Sequence, residues 1–256
     1  MQSPRFLGID FGWRSQPSGL CCLEFRADAL YLLTLDRLLE PEQILDWVDL
    51  WATETTLVAV DAPTIIPNQT GTRLPDRLTH QLFGKFHGGC YPANLSRPFA
   101  ARTVSLGRAL TDRGFRHAPK ITPQSPGRHQ IEVFPHPAIV HLFGLDRILK
   151  YKKGRLADRA QELKRLKTHI ETDLPQISPV LKLTTPLPEI PSQGKQMKEV
   201  EDQLDSLICA YVAAHWWYWG ERKNLTLGDE ASGYIIVPKG EKITWNSCYR
   251  SDNALW

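Results

Sequence analysis

The stretch FLGIDFGWRSQPSGLCCLEF, residues 6–25, places one acidic residue between two short apolar runs. Asp10 follows the first run, which begins at Phe6, and the second run begins at Leu20. Apolar runs of this length, separated by the turn-rich segment GWRSQPSG, predict two β-strands joined by a hairpin. Asp10 is therefore either a turn residue or a carboxylate presented at a strand end. The stretch alone favours the turn residue.

The composition of the 256-residue chain is that of a globular protein, with 42% hydrophobic and 23% charged residues. Its apolar runs are too short to cross a membrane, so no membrane partner is expected. The N-terminal sequence MQSPRFLGID lacks the pattern of a secretory signal, which favours a cytoplasmic location. Five cysteines without CxxC spacing argue against a disulfide framework and against a structural zinc site. A net charge of +3 neither requires nor excludes nucleic acid.

The order of the predicted elements indicates an α/β protein. A third strand is predicted at 29–35, a helix at 41–52, and a strand buried on both faces at 56–63. Residues 64–129 are irregular, with helices predicted at 74–83 and 97–113. Another strand follows in HQIEVFPHP (129–137), then helices at 155–174 and 197–220, and GYIIVP (233–238) as a short strand or extended tail. Neither the GxGxxG nor the GxxxxGK[ST] pattern occurs, so no nucleotide cofactor is expected.

Acidic residues recur at the ends and faces of these elements. Asp10 and Asp61 each follow an apolar strand, and parallel pairing of the first and fourth strands would bring both to one edge. Glu132 lies in a later strand, and Asp202 and Asp205 share one face of the last helix. Alone, each has an ordinary alternative as a turn, strand-end or solvent-facing residue. Together they offer the hard oxygen ligands that Mg²⁺ or Mn²⁺ prefers, and two such ions can promote phosphodiester cleavage.

The segments GIDFG, VAVDAP, EVFPHP and EDQLDSLICAYVAA resemble the signature segments of the predicted ribonuclease-H-like nucleases that form domain of unknown function number 429. The resemblance covers residues 5–238. It implies an α/β, ribonuclease-H-like fold, with a mixed five-stranded sheet of order 3-2-1-4-5 flanked by helices and a large insert after the fourth strand. We therefore expect a single domain over residues 1–256, with its insert near 64–129 and a C-terminal extension near 221–256.

The same resemblance implies a carboxylate site that holds two divalent ions. The implied core ligands are Asp10, Asp61 and Asp205, with Asp202 and Glu132 as auxiliary residues. The expected catalytic residues are Asp10, Asp61, Glu132 and Asp205, and the expected metal ligands are Asp10, Asp61, Asp202 and Asp205.

Basic residues of the insert are candidates for contact with nucleic acid. Lys85, Arg97, Arg102 and Arg108 could hold a phosphate backbone beside the site, although an ordinary charged surface loop explains them equally well. The aromatic cluster HWWYW (215–219) is expected to be core rather than a stacking surface for bases. The basic run KYKKGR (150–155) is expected to be solvated, and His136 to have a local structural role rather than an acid–base one.

These features favour a metal-dependent nuclease that acts on DNA or RNA and requires Mg²⁺ or Mn²⁺. The alternative is a non-catalytic protein of the same fold that binds nucleic acid or another partner. A sugar-kinase or actin-like ATPase is the lowest-ranked function, because that class needs two such domains and glycine-rich phosphate loops. The sequence does not distinguish DNA from RNA, and it predicts no oligomeric state.

Overall fold

A computed structural model describes residues 2–13 and 16–240 of the chain. Its strands are β1 (Arg5–Asp10), β2 (Ser18–Arg26), β3 (Ala29–Leu38), β4 (Thr55–Val60), β5 (Arg116–His117), β6 (Gly127–Glu132), β7 (Val180–Lys182), β8 (Asn224–Asp229) and β9 (Gly233–Pro238). Its α-helices are α1 (Pro41–Trp51), α2 (Leu74–Phe83), α3 (Ala100–Asp112), α4 (Pro135–Leu142), α5 (Leu156–Thr172) and α6 (Gly194–Trp219).

Seven of the strands form one mixed sheet in the order β5-β6-β4-β1-β2-β3-β7. β1, β2 and β3 are antiparallel neighbours, whereas β4 runs parallel to β1 and β6 runs parallel to β4. With β6 as the fifth strand, the central order is 3-2-1-4-5, the expected ribonuclease-H-like arrangement. The sheet is wider than the predicted five strands, because β5 and β7 add two and three residues at its edges. Pairings this short leave no periodicity in the sequence.

Alternate residues of the central strands face two separate apolar cores. Phe6 and Ala59 pack with α6 on one face of the sheet, whereas Leu7 packs with α1 and α3 on the other. Because side chains alternate along a strand, Asp10 has the orientation of Phe6, and Asp61 continues the orientation of Ala59. Both carboxylates are therefore directed to the face that α6 covers.

Two glycines allow α6 to lie directly on the sheet. A Cβ atom on Gly8 of β1 would overlap the backbone of Ser206 and Ala210 in α6. A Cβ atom on Gly19 of β2 would overlap the carbonyl of Asp202. Only a residue without a side chain permits this approach of backbone to backbone. The contact fixes the height at which α6 presents its acidic residues to the end of β1.

The segment between β4 and β6 packs onto the domain through α2, α3 and β5. The sequence-predicted helix at 74–83 matches the bounds of α2, and α3 begins three residues later than the predicted 97. Near the C-terminus, β9 is buried along its length and pairs with β8, a strand that the sequence analysis missed. The division into one domain, an insert and an extension stays a prediction. Residues 14 and 15 of the predicted hairpin turn and 241–256 of the predicted extension lie outside the described residues.

No helix within residues 2–13 and 16–240 is both long and apolar enough to span a bilayer.

Replacing Gly8 by Ala tests the contact between α6 and β1. Because the added methyl group would collide with helix backbone rather than with a flexible side chain, we expect a loss of about 3 kcal/mol or more in the free energy of unfolding. Urea denaturation provides the measurement. The control is Gly84→Ala, where the nearest atoms to the new methyl group belong to the His80 ring at 3.9 Å, so the change should stay within about 1 kcal/mol. Equal stability of the two variants would contradict the contact.

Candidate functional site

Acidic side chains from three elements meet at the carboxyl end of the central strands. Asp10 ends β1, and Asp61 follows β4, where its amide donates a hydrogen bond to the carbonyl of Ile9 at 2.8 Å. Asp202 and Asp205 are presented by α6, and both are buried. Asp10, Asp61 and Asp202 line a cavity of about 700 Å³ at this edge of the sheet. The sequence-predicted acids of these three elements are thus neighbours in space.

Asp10 and Asp61 form a closely coupled pair. Burial raises the pKa of Asp10 well above its usual value; Lys152 opposes the shift, and the charges of Asp205 and Asp61 add to it. Burial likewise raises the pKa of Asp61 to about 6, again against the effect of Lys152, and a hydrogen bond with Asp10 also opposes the rise. Ionising both acids together is therefore unfavourable unless a cation compensates their charge.

Lys152 stands among these carboxylates. Its Nζ lies 2.7 Å from Oδ2 of Asp205 and 4.0 Å from Oδ2 of Asp61. Burial lowers the pKa of Lys152, but Asp205, Asp10 and Asp61 outweigh that effect and raise the pKa well above its ordinary value. The side chain is therefore an ammonium ion. The run at 150–155 was expected to be solvated; Tyr151 is instead fully buried, and Lys152, with 30% of its side chain exposed, turns its Nζ onto Asp205.

The other oxygen of Asp205 also has a partner. Tyr151 donates a hydrogen bond from its hydroxyl to Oδ1 of Asp205 at 2.7 Å, and both side chains are fully buried. Burial, reinforced by the charge of Asp205, raises the pKa of Tyr151 well above its usual value, so the phenol remains a donor. Asp205 is thus held on both sides by the segment between α4 and α5.

Asp202 is neutralised by two cations. Lys198 lies 2.7 Å from its Oδ1 one helical turn away, and Arg37 of β3 donates a hydrogen bond from Nε to Oδ2 at 3.0 Å. Lys198 also lines the cavity, so the rim beside Asp202 is positively charged. Asp202 is therefore an anchor for basic side chains in this structure. Its expected role as a metal ligand stays a prediction.

Glu132 reaches the cavity from the opposite face of the sheet. Its register partner is Val60, which belongs to the core on the α1 and α3 side, so the two residues share that face. Arg73 donates hydrogen bonds to both oxygens of Glu132, at 2.6 and 2.9 Å, and pairs with Asp76 at 2.8 Å. The exposed fractions of these three side chains are 2% for Arg73, 5% for Glu132 and 2% for Asp76. The predicted catalytic role of Glu132 stays a prediction, and in this structure its carboxylate fixes α2 to the sheet.

His136 is a neutral base at the edge of the site. It lies in the first turn of α4 and lines the cavity, with its ring 5.4 Å from that of Tyr151. Burial lowers its pKa to about 4, and the charge of Lys152 adds to the effect. Its Nδ1 is buried and has no hydrogen-bond partner among the described residues. The imidazole therefore presents an unsatisfied polar atom beside the carboxylates.

The donors present fit a hard divalent ion. Asp10 and Asp61 supply carboxylate oxygens whose mutual repulsion such an ion would relieve, and oxygen is the ligand that Mg²⁺ and Mn²⁺ prefer. Residues 2–13 and 16–240 contain no group of three or more His, Cys, Asp or Glu side chains arranged to hold a metal ion. Asp202 and Asp205 are occupied by contacts with basic and phenolic partners, which leaves Asp10 and Asp61 as the carboxylates without a close cationic partner.

The four basic candidates of the insert take different positions. Arg97 lines a second cavity, of about 630 Å³, which shares Trp13, Gln16 and Tyr91 with the first. Arg102 donates a hydrogen bond to the carbonyl of Gly12 at 2.9 Å and so supports the loop after β1. Lys85 and Arg108 are exposed and line neither of these two cavities. Their predicted contacts with nucleic acid remain predictions.

The first part of the aromatic cluster at the end of α6 is core, as expected, whereas Tyr218 and Trp219 are partly exposed. Trp216 is fully buried and donates a hydrogen bond from its indole to the carbonyl of Ala118 at 3.0 Å. Trp217 packs against Phe6 of β1, with ring centroids 5.4 Å apart.

Comparison with known proteins identifies one family, and two of the solved structures with a distant likeness are described below. The family model described as "Protein of unknown function (DUF429)" matches residues 8–231. The chain is similar to T. thermophilus RuvC in complex with Holliday junction substrate, at 12% identity over 82% of this chain and 97% of that one, with a TM-score of 0.32. It is also similar to the Mn-soaked, inhibitor-bound human cytomegalovirus terminase nuclease domain, at 11% identity over 84% and 83% of the two chains, with a TM-score of 0.30. Likenesses this distant bear on neither activity nor substrate. No curated protein matches the sequence.

Removing the cation of the buried Arg73 ion pair tests whether Glu132 anchors α2 to the sheet. Arg73→Met would leave two carboxylates buried without a cation, so we expect a loss of about 3–5 kcal/mol in the free energy of unfolding. The control is Arg165→Met on α5, whose pair with Glu162 leaves 48% of the arginine side chain exposed and should be worth about 1 kcal/mol or less. Urea denaturation measures both. Similar losses in the two variants would contradict the anchoring of α2 through Glu132.

Proposed function

The chain belongs to the family described as "Protein of unknown function (DUF429)", and we propose that it is a divalent-metal-dependent nuclease that hydrolyses phosphodiester bonds of DNA or RNA. The observation that carries the proposal is the meeting of Asp10, Asp61 and Asp205 around Lys152 beside an open cavity. Buried carboxylates that lie close together are difficult to ionise unless a cation compensates their charge. Such clusters are typical of sites that bind a cation.

Asp10 and Asp61 are the residues proposed to hold the ion. A bound Mg²⁺ or Mn²⁺ would supply a Lewis acid for a phosphodiester oxygen. Asp205 contributes by holding Lys152, which lines the cavity where a phosphate would bind. The sequence resemblance implies two ions. Lys152 lies between two of the implied ligands, Asp61 and Asp205, so its position affects how many ions the site can bind.

The second cavity offers a path for a nucleic-acid strand toward the carboxylates. Tyr91 is 59% exposed, and the guanidinium of Arg97 lies 5.0 Å from its ring centroid. Trp13 packs on Phe99, with ring centroids 4.4 Å apart, and its indole donates a hydrogen bond to the carbonyl of Asp61 at 3.1 Å. Aromatic rings beside an arginine suit stacked bases and a phosphate backbone. This combination supports a strand with accessible bases as the substrate.

A non-catalytic binding protein is the rival function. The observation in its favour is that Lys152, Lys198 and Arg37 already neutralise the acids of α6. Such a protein would use the same basic and aromatic surface without cleavage. Activity assays separate the two functions.

Substitution of the paired carboxylates tests the proposed activity. We expect the wild-type protein to cleave at least one of single-stranded, duplex, branched and hybrid substrates with Mn²⁺ or Mg²⁺. Asp10→Asn and Asp61→Asn should each reduce the rate at least about a hundredfold, a loss of roughly 3 kcal/mol in transition-state stabilisation. Gel-based cleavage assays provide the measurement.

The control for these assays is Asp49→Asn, because Asp49 is half exposed on α1 and pairs with Arg113 away from the cavity. Its rate should equal that of the wild type. Absence of cleavage on every substrate form, with either ion, would contradict the nuclease and favour the binding protein.

Removing the side chains of the second cavity tests the substrate path. Because base stacking on an aromatic residue contributes about 1–3 kcal/mol, we expect Tyr91→Ala and Arg97→Ala each to weaken binding of single-stranded oligonucleotides by that amount. Fluorescence anisotropy with labelled strands measures the affinity. Arg165→Ala on the exposed face of α5 serves as the control. Unchanged affinity in both cavity variants would exclude this path.

A further inference from the structure

We propose that the site binds one divalent ion, at Asp10 and Asp61, and that the ammonium group of Lys152, held by Asp205, takes the place of a second ion. The inference rests on the proposed function and replaces the two-ion site that the sequence resemblance implies. It gives Asp205 a different role from that of Asp10 and Asp61, since Asp205 positions the lysine instead of contacting the metal.

The first argument is the occupancy of Asp205. One of its oxygens accepts a hydrogen bond from Tyr151 at 2.7 Å, and the other lies 2.7 Å from the Lys152 ammonium. An ion about 2.0–2.1 Å from that oxygen would also lie close to the ammonium, and the two positive charges would repel each other. The ion pair with Lys152 at 2.7 Å therefore disfavours an ion at the same oxygen.

The second argument is the position of the ammonium between two acids. Nζ of Lys152 lies 2.7 Å from an oxygen of Asp205 and 4.0 Å from an oxygen of Asp61. The ammonium thus places a positive charge between the acid after β4 and the acid of α6. It would supply there part of the charge compensation that a second ion would otherwise supply.

The third argument is charge. Asp10, Asp61 and Asp205 carry three negative charges when ionised, and Lys152 compensates one of them. One divalent ion neutralises the remaining two. A second divalent ion in addition to the lysine would leave an excess of positive charge in a buried site, which is unfavourable. Asp202 adds another negative charge, but Arg37 and Lys198 already pair with it. Asp202 therefore does not favour a second ion.

The fourth argument is that Lys152 is fixed by its own segment. Its neighbour Tyr151 is fully buried, and the carbonyl of Tyr151 accepts a hydrogen bond from Nε of Arg159 at 2.9 Å. The amide of Lys150 donates a hydrogen bond to Glu162 of α5 at 3.2 Å. The two residues before Lys152 are thus tied to α5, which restricts the backbone from which the lysine side chain extends.

Counting bound Mn²⁺ tests the inference independently of activity. Isothermal titration calorimetry, together with electron paramagnetic resonance of free Mn²⁺, should find one ion per wild-type chain. In Lys152→Met, which keeps the length of the side chain and removes its charge, a second ion should bind at least tenfold more tightly than any second ion binds to the wild type. Lys153→Met is the matched control, since Lys153 lines the same cavity and its removal leaves Asp205 paired with Lys152; it should bind one ion.

Two further variants separate the roles of the acids. Asp10→Asn or Asp61→Asn should abolish the single ion, whereas Asp205→Asn should retain it within about tenfold of the wild-type affinity, with circular dichroism confirming that each variant is folded. Two ions bound to the wild type, one ion bound to Lys152→Met, or loss of the ion in folded Asp205→Asn would each overturn the inference. Cleavage by a two-ion wild type would leave the proposed nuclease intact. One ion with the expected variants but no cleavage would overturn the nuclease and leave the inference standing.

Discussion

The contact between α6 and the sheet is the constraint on which the site depends. Gly8 and Gly19 remove the side chains that would otherwise hold the helix away from β1 and β2. Because β1 delivers Asp10 to the same face, the distance between sheet and helix sets the distance between Asp10 and the acids of α6. The apolar residues that surround α6 then maintain that distance, since the helix is buried on nearly all sides. A site of this kind is built into the core and is not added to its surface.

Burying acidic side chains in a core is electrostatically unfavourable. The chain provides close cationic partners for some of these acids and not for others. Asp202 and Asp205 each have basic partners, and Glu132 has Arg73, so these carboxylates are stabilised by hydrogen-bonded cations. Asp10 and Asp61 depend chiefly on each other and on Lys152 at longer range. The uncompensated part of the cluster is thus confined to the two residues at the open end of the sheet, where a cation from solvent can reach them.

The sequence predicted those features whose cause is local. The central strands and α2 follow from apolar runs and turn signals, whereas the order of the strands was implied by the family resemblance. The acids of β1, β4 and α6 lie together as expected. The short strands β5 and β7 depend on pairing with strands that are distant in the sequence, so no local pattern predicts them. Glu132 lies in a predicted strand, but its register against β4 directs it to the other face. Lys152 was assigned to solvent because it lies in a basic run, and only the burial of Tyr151 brings it to the acids.

A lysine inside the cluster also changes what the fold requires of a metal. A bound ion stabilises a protein only when its concentration exceeds its dissociation constant, whereas an ammonium group of the chain is present under all conditions. With Asp205 and Asp202 compensated by Lys152, Lys198 and Arg37, the core around α6 keeps its charge balance without metal. In the proposed one-ion site, only Asp10 and Asp61 would gain from an ion. Binding and folding would then be separated within one site: the lysine would stabilise the fold at Asp205, and the strand-end pair would bind the ion.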